Sequence, residues 1–148
     1  MERKHDAYTL SDDRARIDFA TVTAWLTAAY WSPGIGRDEV ERAARHSSRV
    51  VGAYDVSGAQ VGYGRVASDR TRFGYLMDVY VSDEHRGHGL GRAIVRFAME
   101  HPEHVPVYLW MLGTHDAHGV YEKLGFGPPP QPERLMVLKK PWPRPLST

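Results

Sequence analysis

Three glycines at alternate positions, Gly87, Gly89 and Gly91, stand between the segment Phe73–Val81 and a run with helical spacing. Glycine carries the largest backbone entropy loss on folding, so its concentration here calls for a turn with bare backbone facing a ligand. The flanks set the rest. Phe73–Val81 alternates as a strand, and Leu90, Ala93, Ile94, Phe97 and Ala98 recur as one apolar helix face. A strand running through such a loop into a helix leaves the amides of the first helical turn unpaired, which suits an anion. The alternative is a flexible turn with solvated arginines.

The remaining pattern predicts a mixed α/β fold. Ala7–Leu10 reads as a short strand. A helix over Asp18–Tyr30, capped by Asp18, ends at "SPGIG", and a charged helix follows from Arg37 to His46. Arg49–Tyr54, Gln60–Ala67 and Phe73–Val81 make an antiparallel meander, with Gly58 placed for a positive φ in the first turn. Val107–Leu112 reads as a strand buried on both faces. A last helix takes Ala117–Leu124, with Asp116 as cap and Gly125 as stop. "GPPPQPE" breaks the pattern, Arg134–Lys139 reads as a final strand, and "PWPRPLST" as a Pro-rich tail. The expected division is one domain over residues 1–140 and a tail over 141–148.

Composition excludes several functions. The 148 residues suffice for one core, and 19 Lys plus Arg against 18 Asp plus Glu leave a charge of +1, with no global field for nucleic acid or an anionic membrane. With no cysteine there is no thiolate zinc site and no Cys nucleophile. The N-terminus has no apolar core of a signal peptide, and no run approaches a membrane span. A cytoplasmic protein is expected. His115-x-x-His118 has a zinc-like spacing but no third ligand, so no metal is expected.

The loop fits neither of two common phosphate patterns. Its glycines run G-x-G-x-G, not G-x-G-x-x-G, and Gly91-Arg92-Ala93 replaces the G-K-[ST] of a nucleotide P-loop. Instead, "LMDVYVSDEHRGHGLGRAIV" resembles the acyl-CoA signature R/Q-x-x-G-x-G/A of the GNAT superfamily (GCN5-related N-acetyltransferases), matched by Arg86, Gly89 and Gly91 with Val79 and Val81 on the preceding strand. "AHGVYEKLGF" resembles the family's second signature. The resemblance spans Tyr8 to Lys139, and "YWSPGI" and "DAHGVYEKLGF" are similar to a subgroup of small bacterial members whose acceptors are generally unassigned.

That resemblance implies a GNAT fold: a single mixed, mostly antiparallel sheet of six to seven strands flanked by about four helices. It implies acetyl-CoA as acyl donor. The pyrophosphate would sit on Arg86, Gly87, His88, Gly89, Leu90, Gly91 and Arg92, and the pantetheine arm along Val79, Tyr80 and Val81. Thr114 stands where many members place an asparagine that bonds the arm. Tyr121 would protonate the departing thiolate, although its inward position also suits a core aromatic.

A primary amine of a small molecule or protein is the implied acceptor. At pH 7 a lysine-like amine is neutral in about one molecule in 2,500, a penalty of roughly 4.6 kcal/mol that a base or proton wire must relieve. Asp78 is the first candidate to bind or deprotonate it, a structural aspartate being the other reading. Tyr75, by position, and Glu122 follow. Tyr30 and Trp31 fall where members build the acceptor pocket, or else they close the core. An acyl-CoA-binding module without turnover is the alternative function, and the oligomeric state is open, the final strand and the "PWPRP" tail being the segments that could mediate a homodimer.

Overall fold

The computed structural model describes residues 1–143. Its one sheet has six strands in sequence order: β1 (Glu2–His5), β2 (Tyr8–Ser11), β3 (Arg49–Tyr54), β4 (Gln60–Ser68), β5 (Phe73–Val81) and β6 (Leu109–Met111). Neighbours are antiparallel except β5 and β6, which run parallel. A parallel pair needs a crossover, and α3 (Leu90–Met99) provides it. The other helices are α1 (Phe19–Ala28), α2 (Arg37–Arg45) and the short α4 (His118–Glu122). The expected α/β class and mixed sheet are therefore observed.

Each sheet face carries one apolar cluster. Leu10, Val51, Val66 and Leu76 pack with Leu90, Ile94, Val95 and Phe97 of α3. Ile17, Val22, Leu26, Val40 and Ala44 cover Val50 and Tyr63 on the opposite face. The adjacent valines Val50 and Val51 serve different clusters because side chains alternate along a strand. Gly62 and Gly64 let α3 settle onto β4: an added Cβ would lie 2.8 Å and 2.9 Å, respectively, from Ile94 methyls.

Several elements differ from the sequence expectation. β1 is a strand that no apolar alternation announces, since Glu2, Arg3, Lys4 and His5 are all polar, and pairing with β2 is what holds it. Asp18 caps α1 as expected, its Oδ1 accepting from Thr21 N at 3.1 Å, but the helix stops at Ala28. β6 is only three residues long and lies at the edge of the sheet, with Leu109 47% exposed, so it is not buried on both faces. Besides its pairing with β5, Trp110 supports it by packing against the core and standing edge-on to His104 at 5.5 Å. α4 starts at His118 without a cap from Asp116; Thr114 Oγ1 instead accepts from Ala117 N at 3.0 Å.

The final strand expected over Arg134–Lys139 does not form. A 3-10 turn takes Pro132–Arg134, and the following segment is exposed, Met136 at 92%. Prolines upstream remove ladder donors. Of the expected tail, Trp142 is anchored, its Nε1 donating to Pro33 O at 3.0 Å. Residues 144–148 lie outside the described residues.

Candidate active site

Two irregularities in β5 make the site. The register shifts from Arg65↔Met77 to Tyr63↔Tyr80, so Asp78 and Val79 together face Gly64, and Asp78 takes φ 55°. A left-handed aspartate costs about 1 kcal/mol or more, so it needs local bonds to hold it. Arg65 Nε donates to its Oδ2 at 2.7 Å, and Trp31 Nε1 donates to its Oδ1 at 3.0 Å. Arg65 and Asp78 side chains are only 12% and 10% exposed, and Arg65 also reaches Ser47 Oγ.

The second irregularity is the early end of the pairing with β6. Pairing with β6 ends at Tyr75↔Met111, while β5 continues to Val81. Beyond Tyr75, Val79 and Val81 therefore border a slot without a strand opposite, the carbonyl of Val81 being taken by Arg86. Unpaired backbone donors and acceptors seek a partner, which an extended amide-bearing ligand can supply.

The slot leads into the glycine loop. After a 3-10 turn at Asp83–His85, Gly87 takes φ 85° and Gly89, the N-cap of α3, φ 69°, conformations that favour glycine. Arg92 NH2 would lie 3.3 Å from a Cβ added at Gly89, so its guanidinium covers that glycine. Gly91 brings α3 close to Val81, and Leu90 is buried in the core as the anchor of the helix start. Arg86 is engaged inward. Its Nε donates to Val81 O at 3.1 Å, its NH2 pairs with Asp83 at 3.0 Å, and its carbon lies 5.6 Å from the Tyr80 ring centre. Arg86 thus ties the loop to the end of β5 while its side chain stays 59% exposed.

The N-terminal hairpin braces the same loop, a role that sequence reasoning missed. His5 Nε2 donates to His88 O at 2.9 Å, and Tyr8 OH is hydrogen-bonded to His85 Nδ1 at 2.9 Å. Polar residues in a strand without apolar alternation gave no signal for it. Trp25 was missed as well; it stacks on Tyr80 at 5.1 Å with rings 19° apart, fixing β5 against α1.

At the other end of the slot, segments distant in sequence meet. Tyr30 OH accepts from His115 N at 3.0 Å, which ties the turn after α1 to the loop after β6. Trp31, 38% exposed, stands edge-on to Tyr30 at 5.0 Å. Tyr75 OH lies against Gly113, where an added Cβ would come within 3.3 Å. Thr114 is committed to the start of α4, its hydroxyl already accepting one bond. Tyr121 packs against the core and stands 6.1 Å from Phe126, nearly perpendicular. Burial pushes its phenol above the usual tyrosine range, and the Tyr30 and Asp116 charges add to this, so its proton is secure at neutral pH. Glu122 is exposed on α4 and joins none of these contacts.

Fold and site together define an acyl-transfer type of architecture: an open sheet split beside an irregular strand, with a glycine loop at one end and a protonated phenol at the other. The sequence model of the acetyltransferase (GNAT) family matches residues 10–126, and the chain belongs to that family. A candidate acetyltransferase of the GNAT family from Xanthomonas campestris pv. campestris shares 36% identity over 93% of this chain and 96% of its own, with a TM-score of 0.86. A candidate acetyltransferase from Deinococcus radiodurans R1 is 19% identical over 93% and 92%, TM-score 0.72. A glucosamine-6-phosphate N-acetyltransferase from Arabidopsis thaliana is 18% identical over 91% and 98%, TM-score 0.65. These last two share the fold. No curated protein matches the sequence.

Proposed function

We propose that this acetyltransferase uses acetyl-CoA to acetylate a primary amine of a small molecule or protein by direct transfer. One observation carries the reading: the unpaired edge of β5 beyond Tyr75 runs directly into the glycine loop, so one continuous channel offers backbone donors to an amide-bearing arm and then to its phosphates. The residues fit such a ligand. Gly87 and Gly89 hold a left-handed cradle that side chains would strain, and the first amides of α3 lack intrahelical partners.

Acetyl-CoA, when bound, supplies an activated acyl carbon and a thiolate leaving group. Of the two candidate amides, Val79 and Tyr80, we assign that of Val79 as donor to the acyl oxygen, where charge develops, because Tyr80 pairs with Tyr63 of β4. Tyr121, kept protonated by burial, donates its proton to sulfur as the bond breaks. Asp78 spends one bond on each oxygen yet keeps free lone pairs, and we assign it the binding and orientation of the amine. Tyr30, Trp31 and Tyr75 form the walls around the amine. Thr114, with its remaining donor, borders the arm.

A single-domain enzyme, a cytoplasmic location and a homodimer belong to the same proposal, the last checked by light scattering. The test of activity is thiol release from acetyl-CoA against a panel of primary amines. Amine-dependent release supports the reading. One observation favours a second reading, an acyl-CoA-binding module without turnover: both Asp78 oxygens already accept a bond, which weakens this carboxylate as a base. That reading predicts coenzyme binding by calorimetry and no thiol release with any amine.

A further inference from the structure

At the aromatic end of the slot, three rings gather on one short turn. Tyr30 and Trp31 enter it from α1, 57% and 38% exposed and edge-on to each other. The third comes from the far end of the chain. Trp142 hangs from the same turn, its Nε1 donating to Pro33 O at 3.0 Å, and its ring stays 39% exposed. The turn is itself held, Gly34 N donating to Thr27 O and Ile35 N to Ser32 O. Large rings kept open to water on a bonded frame mark a contact surface. Trp31 ties this surface to Asp78: its Nε1 occupies Oδ1, while Arg65 balances the carboxylate charge from the other oxygen. The pair therefore offers an incoming amine acceptor lone pairs without a strong net field, which suits a single nitrogen on an uncharged body. A second ammonium would find this carboxylate already compensated, and a carboxylate on the acceptor would face Asp78 with the paired Arg65 to offset it.

We propose that the acceptor is a primary amine carried on an aromatic body, with Trp142 as the residue that selects for that body. The inference rests on the N-acetyltransferase reading above. With the nitrogen at Asp78, an aryl ring on a short alkyl link meets the open surfaces of Trp31 and Tyr30, and Trp142 covers it from the side of Pro33. Offset or edge-on ring pairs add to the gain from buried area, and an aliphatic body forgoes that addition. The acetyl group passes from the thioester sulfur to this nitrogen, the C–S bond breaking as the C–N bond forms, and the proton that the nitrogen loses is balanced by the one that the thiol gains.

Thiol release from acetyl-CoA by the full chain tests this, with phenethylamine, butylamine, spermidine, phenylalanine and a lysine-bearing peptide as acceptors. Phenethylamine should show a kcat/KM roughly tenfold above each of the others. Trp142→Ala, its folding verified by circular dichroism, should raise the KM for phenethylamine by roughly three- to tenfold, more than it lowers kcat, and narrow the preference over butylamine, while coenzyme affinity by calorimetry stays unchanged. Trp142→Phe should restore most of that preference, because it keeps a ring at the position. Equal kcat/KM for phenethylamine and butylamine, a preference for spermidine, phenylalanine or the peptide, or a Trp142→Ala effect equal on all amines overturns the proposal and leaves the N-acetyltransferase reading standing. Absence of thiol release with every amine removes that reading, and this inference with it.

Discussion

The two ends of the slot are built in opposite ways. The glycine-loop end is nearly continuous in sequence: β5, the loop and the first turn of α3 follow one another from Phe73 to Arg92. The aromatic end gathers Tyr30 and Trp31 after α1, Asp78 on β5, His115 after β6 and Tyr121 on α4, joined by bonds that span 47 residues for Trp31–Asp78 and 85 for Tyr30–His115. Backbone amides and local turns build most of the proposed phosphate seat, which the N-terminal hairpin then braces, whereas the proposed acceptor wall requires the whole sheet to be assembled first. Damage to one end should therefore leave the other intact unless it strikes their common core.

The largest effect expected is on chemistry alone. Tyr121→Phe should lower kcat by roughly 10²- to 10⁴-fold while coenzyme affinity by calorimetry stays unchanged. Equal turnover in the mutant would remove the phenol from proton transfer. Ile94→Ala strikes the core beneath both ends, where Ile94 is fully buried against β4; it should cost about 2–5 kcal/mol in chemical denaturation and weaken both ends together.

Smaller effects should separate the ends. Gly89→Val places a branched side chain at φ 69° against Arg92 and should reduce coenzyme affinity by roughly tenfold, at a stability cost of about 1–2 kcal/mol. Trp31→Phe removes the bond to Asp78 and should raise the KM of whichever amine the panel identifies by roughly three- to tenfold, with coenzyme affinity unchanged. If Trp31→Phe instead weakens the coenzyme, the two ends are coupled.

The smallest effect is one of pH. Because burial raises the Tyr121 pKa, its acid form persists beyond pH 10, the usual tyrosine value, so the alkaline fall in kcat should begin above that point rather than at it. The same sign applies to stability. Burial raises Tyr54 to about 12 and Tyr63 further, so their contribution is complete below pH 10 and is lost as pH rises through the raised values. Denaturation midpoints measured from pH 8 to about 11.5 check this.

Much of the donor end was legible because its signals are local. Alternation marks β5, the 3.6-residue period marks α3, and glycines between them mark the turn. Helix capping was legible at Asp18, where a side chain meets an amide three residues on, but not at Thr114, where the competing Asp116 lay closer to the helix start. The bonds of Arg86 were not legible: its position beside the glycines suggested charge for a phosphate, and folding adds bonds from it to Val81 and Asp83. β1 and the unpaired segment after Arg134 failed for opposite reasons. Charged residues formed a strand because β2 offered a partner, and apolar ones formed none because nothing paired with them.

The order of most elements, the two glycine conformations that open α3, and the placement of apolar faces are properties of the sequence itself, since each depends on neighbours within a few residues. The bulge at Asp78, the parting of β5 from β6 and the meeting of Tyr30 with His115 belong to the tertiary structure. The physical reason is plain at Asp78: a non-glycine residue at φ 55° is held by Arg65 and Trp31, remote in the chain, which each bond one of its oxygens.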